Sequence, residues 1–243
     1  VAKELPDVFD QVIYCGMSEE QRKFYNEEKS SIRNAIFDKI ESDGINKSSM
    51  IVLQGLTRLR QIANHPKLVD ENYLDSSGKF DEIIRSIESV ISEGHNVLVF
   101  SSFVKHLGIF EENLKKKNYL YTKLTGASRK REEIIKAFQD NPDCRIFLIS
   151  LKAGGVGLNL TAADYVFILD PWWNPKSEEQ AINRAHRIGQ DKNVFVYRFI
   201  SEDSIEEKIQ KLQQRKEKLA DAFVHSNNPL KEIDEKELEE LFT

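Results

Sequence analysis

The sequence predicts an α/β fold: a parallel sheet with helices on both faces, a helical N-terminal insertion and C-terminal brace helices. Two observations carry this. Between residues 78 and 200, five short apolar segments, NVLVFS (96–101), YLYTKL (119–124), RIFLIS (145–150), DYVFILD (164–170) and VFVYRFI (194–200), read as strands. Amphipathic patterns precede the first (80–93) and separate the others (104–117, 130–139 and 176–187). Continuously apolar strands alternating with helices indicate a parallel sheet buried on both faces, with right-handed crossovers.

The chain divides into 1–77, 78–200 and 201–243. Residues 8–17, VFDQVIYCGM, read as extended. Ser18 with Gln21 then forms a capping-box pattern, and Phe24, Ile32, Ala35, Ile36 and Ile40 continue a helical face. Residues 42–49 read as a polar loop, followed by the helix IVLQGLTRLRQIA, which stops at Asn64-His65-Pro66 because a proline disfavours helix for the residue before it. Ser177 with Gln180 gives a second capping-box pattern, and Asp203 with Glu206 caps a long charged helix after 201. A break at Asn227-Asn228-Pro229 precedes an acidic helix from about Asp234.

Composition narrows the class without choosing it. With 40% hydrophobic and 31% charged residues the chain can bury a sizeable core, and no apolar run approaches membrane-spanning length. Cys15 and Cys144 lie outside any metal-ligand spacing and read as buried thiols of an intracellular protein. The net charge of −5 argues mildly against nucleic acid, but −4 of it sits in residues 216–243, where four lysines face eight acidic residues. Arg129-Lys130-Arg131 could therefore still belong to a positive stripe, whereas Lys115-Lys116-Lys117 reads better as a solvated helix face.

In parallel sheets, ligands meet the loops at the carboxyl ends of the strands. LKAGGVGLN (151–159) follows a strand, and its glycines would let backbone N–H groups approach phosphate oxygens; a tight strand-to-helix turn explains them equally well. It is neither a Walker A loop nor a dinucleotide fingerprint. In LDPWWNPKSEEQ, Asp170 lacks the companion acid of a magnesium site, Trp172 reads as packed, and Trp173 could pack or stack on a base. Gln180, Arg184 and Arg187 fall at i, i+4 and i+7 on one helical face. The spacing leaves two readings open: surface pairs with Glu178, Glu179 or Asp191, or a clamp for a phosphate.

VLVFSSF, LTGASRKREEIIKAFQ, ISLKAGGVGLNLTAAD, DPWWNPKSEEQAINRAHRIGQ and VFVYRFISEDSIEEKI occur in that order, preceded by LPDVFDQVIYCGMSEEQRKFY and LRQIANHPKLV. Over Glu4 to Gln214 the chain resembles the second RecA-like lobe of the Swi/Snf-type ATPases of helicase superfamily two, bacterial and archaeal members above all. The resemblance implies that 1–77 is an interlobe linker and helical protrusion, 78–200 the C-terminal lobe, and 201–243 a brace and tail. It implies that ATP with magnesium is held mainly by a first lobe whose Walker A and Walker B motifs this chain lacks. Arg184 and Arg187 would be arginine fingers, with Gln180 in the same motif. Gly155 and Gly157 would couple nucleotide to DNA, and Thr125, Gly126, Lys152, Ala153 and Trp173 would lie on the backbone of double-stranded DNA. Ser102 departs from the Gln common at that position. The implied function is an ATP-dependent DNA translocase of chromatin-remodelling type, cytoplasmic or nuclear according to the organism, with the isolated lobe inactive. A non-catalytic DNA- or protein-binding module and an RNA-unwinding relative are the alternatives.

Overall fold

Hydrogen bonding between β1 (Val8–Cys15) and β6 (Val194–Ser201) extends the expected sheet by one strand. In the computed structural model, which describes residues 5–154, 158–171, 175–217 and 235–242, the sheet has six strands in the order β1-β6-β5-β2-β4-β3. The others are β2 (Val97–Ser101), β3 (Tyr121–Leu124), β4 (Ile146–Ser150) and β5 (Tyr165–Ile168). The pairs β2–β4, β2–β5, β3–β4 and β5–β6 are parallel. Val194 N donates to Asp7 O and Glu202 N to Cys15 O, a constant sequence offset that makes β1 parallel to β6 as well. The order matches a RecA-like α/β sheet, as the sequence predicts.

By compactness the chain falls into two units, Val1–Tyr14 with Asp81–Ile200, and Cys15–Phe80 with Ser201–Thr243. The first contains most of the sheet. Every residue of β2 and β4 is buried, as continuous apolar strands demand. Leu98, Phe100, Phe147, Ile149, Val166, Ile168 and Val196 form one cluster with Ala181, Ile182 and Ala185 of a helix, α7 (Pro175–Ala185). Each of the Val, Leu, Ile and Phe side chains is worth about 1.5–3 kcal/mol when fully buried. The remaining helices of this unit are α3 (Gly78–Ser92, which starts in the other unit), α4 (Val104–Lys116), α5 (Arg131–Asp140) and α6 (Leu151–Gly154).

The second unit is built on α1 (Glu19–Asp43) and α2 (Ile45–Asn64). The polar loop expected over 42–49 is reduced to one residue: Gly44, at φ 81, closes α1 by donating to Ile40 O and opens α2 at once. Only glycine takes that left-handed joint without strain, so polarity misleads where conformation decides. Ser18 caps α1 as expected, accepting from Gln21 N at 3.2 Å. The buried face of α1 runs through Gln21, Tyr25, Ile36 and Ile40, and Ala35 is exposed. Gln21 does not return a bond to the cap; its amide donates to Ile62 O and Ala63 O and accepts from Gly78 N. α8 (Ile205–Glu217) and α9 (Glu235–Phe242) complete the unit. Ser204, rather than Asp203, caps α8: its Oγ accepts from Glu206 N at 3.1 Å and its carbonyl accepts from Lys208 N.

Candidate nucleotide and nucleic-acid interface

The carboxyl ends of β2 and β5 are tied by one carboxylate. Asp170 is fully buried and accepts from Ser101 Oγ (3.0 Å), Ser102 N (2.9 Å) and Ser102 Oγ (2.8 Å). Those bonds make it a structural strap, and among the described residues no group of acids, histidines or cysteines could hold a metal ion. They also give Ser102 a role, since both its backbone N–H and its hydroxyl bind Asp170. At the end of β3, Thr125 N donates to Ser128 Oγ (2.9 Å) and Ser128 N returns a bond to Thr125 O, closing a turn with Gly126 exposed.

The arginine segment departs from the expected helix at both ends. α7 starts at Pro175, a favoured first position, so Ser177 lies within the first turn and is not its cap. It stops at Ala185, so Gln180 and Arg184 share the helix while Arg187 stands in the following turn. Gly189, at φ 105, allows that turn, which Gln190 N closes onto Arg187 O at 2.9 Å. Gln190 is itself buried, and its amide nitrogen donates to Ala163 O (2.8 Å), Ala185 O (3.1 Å) and Thr161 O (3.2 Å).

Surface pairing does not account for the two arginines. Glu178 is buried and pairs with Arg198, which also holds Asp10 at 2.9 Å. Neither Arg184 nor Arg187 forms an ion pair among the described residues. Arg187 is exposed; Arg184 is half-buried, and its Nε lies buried with no hydrogen-bond partner. A buried, unsatisfied guanidinium N–H costs about 1–3 kcal/mol unless something accepts it.

Of the other expected residues, Gln180 and Lys152 are exposed. Ala153 is packed in the core cluster, which leaves only its backbone for a ligand. Gly155, Gly157, Trp172 and Trp173 lie outside the described residues. His186 donates through Nε2 to Pro6 O at 2.8 Å, and His65 Nδ1 accepts from Lys67 N, so both are structural. Glu178, expected as a surface partner of the arginines, is instead buried, and Gln190 carries no sequence signal: a lone Gln or Glu in a polar turn or helix has no periodicity that marks it as buried.

The lysine triplet behaves as a solvated face. Lys115 pairs with Glu111 and Lys117 with Glu88. Burial raises the Glu111 carboxyl, but hydrogen bonds from Lys123, Tyr121 and Lys115 outweigh it and hold the group down at about 2. A depressed acid stabilises the fold fully above its ordinary value near 4.5 and loses that contribution as pH falls toward 2. Thermal unfolding of Glu111→Gln should therefore fall short of wild type above pH 5 and converge on it only as pH falls to about 2. Parallel curves across that range would assign the difference to packing.

The sheet order defines the class, a RecA-like α/β lobe, and comparison with known proteins gives the family. The model of the helicase conserved C-terminal domain matches residues 78–189, and that of the SNF2-related domain residues 1–68. The C-terminal domain of the Sulfolobus solfataricus SWI2/SNF2 ATPase is 31% identical over 97% of this chain and 98% of its own, with TM-score 0.79. The core of that ATPase in complex with double-stranded DNA superimposes with TM-score 0.83 at 32% identity, over 97% of this chain and 50% of its own. An uncharacterized ATP-dependent helicase of Mycoplasma genitalium is 35% identical over 100% of this chain and 23% of its own length. Mouse chromodomain-helicase-DNA-binding protein 1-like is 36% identical over 94% of this chain and 26% of its own. The chain spans 12% to 26% of the length of such curated relatives. It belongs to the Swi/Snf-type family of helicase superfamily two.

Proposed function

We propose that this chain is the C-terminal motor lobe of an ATP-dependent double-stranded-DNA translocase. The observation that supports this most is the pair Arg184 and Arg187, free of ion pairs among the described residues, with the Arg184 Nε donor unsatisfied. Such donors fit the γ-phosphate of ATP, whose magnesium and remaining phosphates would be held by another lobe. ATP supplies the phosphoryl group; the arginines neutralise the charge that gathers on it during transfer, and Gln180 hydrogen-bonds beside them. Gly155 and Gly157 would lie on the nucleotide side and couple it to DNA, while Thr125, Gly126, Lys152 and the Ala153 backbone, with Trp173, would follow the DNA backbone.

Phosphate contacts carry little sequence information and weaken steeply with salt. In the full-length protein, ATP hydrolysis should rise on adding duplex DNA of any sequence and lose that stimulation as salt is raised. This chain alone should hydrolyse ATP no faster than a blank. Turnover by the isolated chain, or stimulation by RNA and not by DNA, would overturn the proposal.

A further inference from the structure

Gln190 lies between the two halves of the proposed interface. Its amide nitrogen donates to Ala185 O, the last carbonyl of α7, and to Ala163 O and Thr161 O, in the segment that follows the glycine loop. Its Oε1 accepts from Lys192 N at 3.0 Å, so both ends of the amide are engaged. The link is doubled on the backbone, where Leu160 N donates to Arg184 O at 2.9 Å. On the arginine side, Gln190 N closes the turn that bears Arg187. On the loop side, Gln139 on α5 holds Asn159 O at 2.9 Å, and Ala163 N donates to Leu160 O.

An amide nitrogen has two hydrogens, and three carbonyls converge on this one. It therefore satisfies the carbonyls of two segments at once, and a shift of 160–163 changes what it can give Ala185. The carbonyls at a helix C-terminus are the ones without intrahelical partners, so the geometry of the last turn depends on such donors.

We propose that Gln190 is a positioning residue that passes movement of the 158–163 segment, when the glycine loop engages DNA, to the end of α7, which carries Arg184, and to the turn after it, which carries Arg187. The inference rests on the motor reading. Gln190 touches neither nucleotide nor DNA; it acts by holding the arginines where the transferring phosphoryl group needs them. A displacement of about 1 Å there can cost on the order of 100-fold in rate.

The test compares full-length wild type with Gln190→Met, which keeps the side-chain length and removes its hydrogen bonds. The ratio of DNA-stimulated to DNA-free hydrolysis should fall on the order of 100-fold, with the KM for ATP and the affinity for duplex DNA retained. An unchanged ratio, or a loss confined to KM or DNA affinity, overturns the link. Hydrogen exchange on the wild type needs no variant: duplex DNA should change protection of the Leu160 and Gln190 amides together, and a change at Leu160 alone also overturns it. A wild type that duplex DNA fails to stimulate would instead sink the motor reading itself.

Discussion

Arg187→Ala in the full-length protein is expected to lower the duplex-DNA-stimulated rate of ATP hydrolysis by about 10³–10⁵-fold, the range for removal of an arginine finger. ATP binding, assigned mainly to the other lobe, should survive. The expectation follows from placement: Arg187 is exposed, stands beyond the end of α7, and has no ion pair among the described residues. Its guanidinium is therefore available in full to an incoming phosphate. Arg187→Lys should recover only a small part of the rate, because an ammonium cannot reproduce the bidentate fork. Arg184→Ala is a less clean test, since Arg184 is half-buried and its loss also disturbs packing. Single-turnover hydrolysis with nucleotide binding measured beside it decides the matter. If Arg187→Ala turns over at the wild-type rate, these arginines are surface charge or a contact between lobes.

The fold was legible wherever hydrophobic periodicity governs it. β2 and β4 coincide with their apolar segments to within a residue, because a strand buried on both faces must be apolar throughout. β1 was readable as extended but not as part of the sheet, since pairing with β6, nearly two hundred residues on, leaves no local trace. The junction at Gly44 was misread because a single left-handed residue does the work that polar composition suggested for eight. For the site, the resemblance supplied the roles, and the arginines were found by type and spacing. What spacing could not supply was the end of α7: Gly189 and Gln190 shape a turn in which Arg187 leaves the helix face. Buried polar anchors such as Gln190 and Asp170 are similarly silent, because their partners are backbone groups and serines whose placement only the folded chain provides.

Lys79→Met is expected to destabilise the second unit by about 3–5 kcal/mol, the usual cost of removing one partner from a buried ion pair. Lys79 and Glu206 are each about 1% exposed and meet at 2.7 Å. Asn64 bridges them, accepting from Lys79 Nζ at 3.0 Å and donating to Glu206 Oε1 at 2.9 Å, while Ser201 N donates to Glu206 Oε2 at 3.1 Å. Removing the ammonium leaves the Glu206 carboxylate buried, with Asn64 Nδ2 and Ser201 N, both neutral donors, still bonded to it. Glu206→Leu should cost a similar amount by stranding the lysine. The double variant Lys79→Met/Glu206→Leu should be more stable than either single one, because an apolar pair avoids the desolvation of both charges. Its recovery should stop short of wild type: Ser201 N and Asn64 Oδ1 would lose their partners, at about 1–3 kcal/mol for each buried group left unsatisfied. Urea unfolding of the four proteins forms a double-mutant cycle that reads the coupling directly. Additive losses would show that the two charges are not coupled in the folded chain and that the ion pair does not hold α8 to α2 and the start of α3.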